Sequence, residues 1–108
     1  MTSDEKIAAA AQHRALFPDP DAPSVRVLAA LRAEGITGSC DINSDTGIGT
    51  LQLTRQGAAA LAELLGQHGA EQLLPLRSDT DLGQVVFLLT AQQYADLADG
   101  IEATWRAS

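Results

Sequence analysis

The chain has 108 residues, 45% of them hydrophobic but only 4% aromatic, and its 7 basic residues stand against 14 acidic ones for a formal charge of −7. A body of this size buries roughly two thirds of its unfolded surface around one core, which here must be built from Leu, Val, Ile and close-packed Ala. The charge opposes direct nucleic-acid binding, since few cations are present to release counterions from a phosphate backbone, and no run approaches the roughly 20 apolar residues that cross a bilayer.

Thr2 and Glu5 have capping-box spacing, and Ile7, Ala10, Ala11, Arg14 and Ala15 share one side of a helical wheel, which predicts a helix over 3–16. Three prolines in FPDPDAP (Phe17 to Pro23) then stop it, so residues 1–20 read as an N-terminal helical arm with a Pro-rich connector. Asp21 or Ser24 is placed to cap a second helix with Val25, Leu28, Leu31 and Arg32 on its face and Gly35 at its end.

GITGSCDIN alternates as a half-buried strand with Ile36, Gly38, Cys40 and Ile42 inward. The turn NSDTG joins it to IGTLQLT, where Leu51 and Leu53 continue the inward face. Thr54 caps a helix with Ala58, Leu61, Ala62 and Leu65 on its buried side, ended by Gly66 and Gly69. EQLLPLR, SDTDLG and QVVFLLT then read as strand, turn and strand. Pro75 cannot donate to a ladder and so belongs at a sheet edge. Thr90 and Gln93 form a capping box for a final helix, whose stripe is Tyr94, Leu97, Ala98, Ile101 and Trp105.

The chain also repeats itself. SDTGIG at Ser44 to Gly49 returns as SDTDLG at Ser78 to Gly83, 34 residues on, while TRQGAAALAELL from Thr54 returns as TAQQYADLADGI from Thr90, offset by 36. The expected architecture is therefore α+β. A tandem ββα duplication (35–66 and 69–102) within a single domain, 21–108, forms a four-stranded antiparallel sheet packed on one face by helices.

No catalytic, metal-binding or cofactor motif stands above these signals. Asp41, Asn43 and Asp45 resemble the start of a calcium loop, but an EF-hand needs Gly and Glu where Thr46 and Gln52 stand, and turn chemistry accounts for them, as for Asp79 and Asp81. Cys40 points inward as a small core side chain, and His13 and His68 lack zinc-site spacing. Glu34, Glu63 and Glu71 read as hydrated surface acids. With one cysteine there is no internal disulfide, and MTSDEKIAAAA offers no export signal, so a cytoplasmic location is expected.

One misfit carries the functional expectation. Val85 to Leu89 is apolar at every position, so Val86 and Leu88 face away from the core side and need cover, from the arm through Ile7, Leu16 and Phe17 or from a second protein molecule. Val86, Leu88, Phe17 and Trp105 are the candidate partner-binding residues. The preferred reading is a small acidic protein that binds another protein, a basic one or a second copy of itself, as an inhibitor, immunity or regulatory factor. Element order, acidity and size resemble type III secretion chaperones, dimers that hold effector segments; element order alone carries that likeness. The competing class is a small enzyme or ligand-binding domain with its site between the two repeats.

Overall fold

The computed structural model describes residues 2–43, 45–74, 77–79 and 83–106. The elements run α1 (Ser3–Arg14), α2 (Pro23–Ala33), β1 (Gly38–Asn43), β2 (Ile48–Thr54), α3 (Arg55–Gln67), a 3-10 turn at Glu71–Leu73, β3 (Arg77–Asp79), β4 (Gln84–Thr90) and α4 (Ala91–Arg106). The chain is α+β. Among the described residues three full strands form an antiparallel sheet, and the three-residue β3 adds to the outer edge of β4, giving the order β1-β2-β4-β3.

The second unit therefore does not reproduce the first. EQLLPLR, expected as a strand, opens instead as the 3-10 turn Glu71–Leu73, with Pro75 outside the described residues. The cause is tertiary: Leu73 packs where Gly100 of α4 has no side chain, and Leu73 and Leu74 rest against the main core. The turn also slips. Gly83 takes up the left-handed backbone that Gly47 adopts (φ +79 and +71), 36 residues apart, whereas the matched SDT triplets lie 34 apart, so Ser78 and Asp79 fall in β3.

Capping is local and follows the residues. Thr54 Oγ1 accepts the Gly57 N–H at 3.0 Å to open α3, and Thr90 and Gln93 exchange bonds of 3.2 and 2.8 Å to open α4. At α2 the expected caps are not used: Pro23 occupies the first turn with its preset φ, the N-cap is Ala22, and Asp21 bonds Arg14 at 2.7 Å. α2 and α3 end alike. The Ile36 and Ala70 N–H groups reach back to the Leu31 and Leu65 carbonyls, both at 2.8 Å, around left-handed Gly35 and Gly69. This is the Schellman closure, and the two sets of residues lie 34 apart in the chain.

The buried face of α2 is Val27, Ala29, Ala30, Leu31 and Ala33, while Val25 and Leu28 are half-buried and Arg32 is exposed. The expected face is rotated because α2 lies between α1 and α4 and also meets β1, so its small alanines mark the sides where neighbours approach. On α3, Ala58, Leu61 and Leu65 are buried as expected but Ala62 is exposed. On α4 the whole stripe of Tyr94, Leu97, Ala98, Ile101 and Trp105 is buried. Helix α1, two residues shorter than expected, packs on α2 and α4 with Ala10 buried; Ile7 and Leu16 stay exposed. The arm thus joins the helix layer and does not cover Val86 and Leu88.

A candidate interaction face on the open side of the sheet

Strict alternation in β2 and β4 builds two unlike surfaces. Leu51, Leu53, Val85, Phe87 and Leu89 face the helices and are at most 3% exposed, filling the inner side of the seam where β2 meets β4. Ile48, Thr50, Gln52, Thr54, Gln84, Val86, Leu88 and Thr90 take the other side, where Leu88 is 62% and Ile48 46% exposed and Val86 is half-buried. Register sets Leu88 opposite Thr50 and Val86 opposite Gln52, with Ile48 one diagonal step from Leu88. Among the described residues, Ile7 and Leu16 in the helix layer are the other exposed large hydrophobics.

This face is also nearly free of charge. Asp41 is the sole charged residue in β1, β2 and β4, the short edge strand β3 adding Arg77 and Asp79, and Asp41 Oδ1 accepts the Thr50 N–H at 2.9 Å. The described ion pairs lie elsewhere: Lys6 with Glu34 at 3.0 Å, Arg14 with Asp21 at 2.7 Å, and Arg26 with Asp99 and Glu102 at 2.6 and 3.0 Å. The two acids hold the Arg26 guanidinium above its ordinary pKa, Asp99 contributing most.

The four sequence candidates do not form one site. Val86 and Leu88 share the open face. Trp105 is 3% exposed in the helix layer, where its indole N–H donates to Glu34 Oε1, so α1, α2 and α4 are tied through Lys6, Glu34 and Trp105. Phe17 is half-buried in the connector after α1. Ile48, beside a turn glycine and outside the sequence candidates, joins the face; the alternation that turns Leu51 and Leu53 inward turns it outward.

The residues with chemical potential are occupied in structural roles. Asn43 Oδ1 accepts the Asp45 N–H at 2.9 Å and the Asn43 carbonyl accepts the Gly47 N–H at 2.8 Å, an Asx-type turn. Asp79 falls in β3 and Asp81 lies outside the described residues. His68 is the C-cap of α3, and Glu63 bonds Gln67 one turn on. Among the described residues no three His, Cys, Asp or Glu side chains are placed to hold a metal ion. Among the described residues the buried Tyr94 hydroxyl has no hydrogen-bond partner; burial drives its pKa upward, and the Asp41 backbone opposes this slightly. A groove of about 170 Å³ runs between α1 and α4 over Ile7, Ala10, Ala11 and Trp105, with Arg14, Glu102 and Arg106 also lining it.

Burial first, and then the Asp41 charge, push the Cys40 thiol from 9.0 up to about 12. The thiol therefore keeps its proton at neutral pH and is a poor nucleophile. At pH 8 the folded chain should react with a thiol reagent about a thousandfold more slowly than the urea-unfolded chain, since so much less of the folded thiol is ionised when its pKa is about 12 and not 9.0. Because the folded-state pKa is the higher one, this group's contribution to stability should be intact below pH 9 and be lost as pH rises toward 12. Equal labelling rates in the two states would refute the shielding.

No protein-family model, curated protein or solved structure matches this chain. The resemblance to type III secretion chaperones accordingly stays one of element order. Among the described residues no helix is long and apolar enough to cross a membrane.

Proposed function

We propose that this protein acts by binding another protein through the open side of its sheet. The observation that carries the reading is the exposure of Leu88, 62%, beside Ile48 and Val86 on a face that no helix covers among the described residues. A strand interior has no structural need for a large apolar side chain on its wet side, and a grouping of three marks a surface that exchanges water for a partner. Binding there fits an inhibitor, an immunity factor or a regulatory subunit. A basic partner would instead be met by the acids of the helix layer. The repeated strand-plus-helix half, β2–α3 and β4–α4, supports the same assignment: at an offset of 36, Thr50 and Gln52 correspond to Val86 and Leu88, so the second copy carries hydrophobic residues where the first carries polar ones.

The test is a photo-cross-linking amino acid placed in the host at position 88, or at Gln56 on the exposed side of α3 as the control. Adducts should form from position 88 and not from position 56. In parallel, Val86→Asp with Leu88→Asp should keep the native circular dichroism spectrum and remove the adducts that a label at Ile48 forms. Loss of the native spectrum would show these side chains to be core, and adducts from both labels, or from neither, would refute the assignment.

A further inference from the structure

We infer that the partner seated on this face is a second copy of the chain, packed sheet against sheet; this rests on reading the face as a docking surface. Charge is the first argument. Two chains that each carry −7 approach best where acids are few, and of the 7 basic and 14 acidic residues only Asp41 lies in β1, β2 or β4, while the short edge strand β3 adds one of each sign, Arg77 and Asp79. A basic partner, by contrast, finds in these three strands only the Asp41 carboxylate, one oxygen of which already accepts the Thr50 N–H.

Self-complementarity is the second argument. In a twofold contact every group meets the same surface it belongs to, which excludes patches rich in one charge and admits groups that pair with their own kind. The outward residues of β2 and β4 are of that sort: the Thr50 hydroxyl and the Gln52 amide both donate and accept, while Ile48, Val86 and Leu88 pack against one another's like. A pleated face of β-branched and aliphatic residues also matches the roughly 10 Å spacing of packed sheets.

Area sets the strength. Seven-residue strands of about 23 Å, three across at about 4.8 Å, offer a projected face of roughly 350 Å² per copy. That is well short of the about 800 Å² per partner of a standard stable interface, so the dimer is weak and reversible.

Sedimentation equilibrium of the full chain, from about 10 μM to about 1 mM at low and high salt, tests this. A monomer–dimer equilibrium is expected, tightening severalfold with salt as repulsion between the two acidic bodies is screened. Leu88→Asp should weaken it at least tenfold. Ile48→Lys, at a second exposed position, should do the same, each with an unchanged circular dichroism spectrum. A monomer throughout, a dimer that salt loosens, or a dimer indifferent to both substitutions would overturn the inference. If the chain is monomeric while position 88 still cross-links to a different protein, the docking face stands and only its occupant is wrong; if neither occurs, both fall.

Discussion

Gly49→Val should abolish folding, leaving a chain without native circular dichroism or a cooperative urea transition. Gly49 lies inside β2 opposite Ile42, and a Cβ at its position would overlap the Asp41 carbonyl oxygen and stand 2.6 Å from Tyr94 Cε2. Neither obstacle yields easily: the carbonyl belongs to the neighbouring strand, and the Tyr94 ring is fully buried at the foot of α4. Even Gly49→Ala should cost about 3 kcal/mol or more, at the upper end of overpacking penalties. Gly66→Ala is the matched control. A Cβ there meets nothing within 4 Å and the residue is helical, so the same substitution should be neutral or stabilising by up to about 1 kcal/mol. Equal effects at the two sites would mean that the close approach of β1, β2 and α4 is wrongly placed.

Phe87→Ala should destabilise the chain by about 3–5 kcal/mol, a large share of the 5–15 kcal/mol that holds a domain together. Phe87 is 3% exposed, faces the helices from the middle of β4 and lies directly across from the fully buried Leu51. Its truncation opens a void at the centre of the sheet that backbone pairing on both sides keeps from collapsing. The adjacent Leu88→Ala removes a side chain of similar size from the other surface and should change stability by no more than about 0.5 kcal/mol. Urea midpoints measure both. Similar losses at the two positions would show that both surfaces of the sheet are covered, and the interaction face with its proposed occupant would go.

Helix α1 shows how a local pattern becomes a different tertiary fact. Its Ala-rich stripe specified a helix without saying which layer would receive it. The ion pair of Lys6 with Glu34, and the indole of Trp105 on the same carboxylate, commit it to the helix side. Glu34 sits at the C-cap of α2, where the helix dipole disfavours an acid, and the cation and indole N–H offset that cost. Trp105 is thereby a core residue rather than a partner anchor. These contacts join residues 28 and 71 positions apart, and nothing in either neighbourhood announces the other.

The same division runs through the whole molecule. The sequence by itself determined the α+β class, the Thr54 and Thr90 caps, the α4 stripe and the outward direction of Val86 and Leu88. Each of these is decided within about one helical turn or a few strand residues, where periodicity and hydrogen-bonding reach are short. Only the tertiary structure decided that Glu71–Leu73 turns against α4 instead of extending as a strand, that Gly49 admits no side chain, and that among the described residues the helices leave the open side of the sheet uncovered. Those outcomes depend on which distant surfaces meet, and a one-dimensional pattern of polar and apolar residues carries the preference for burial without the identity of the neighbour.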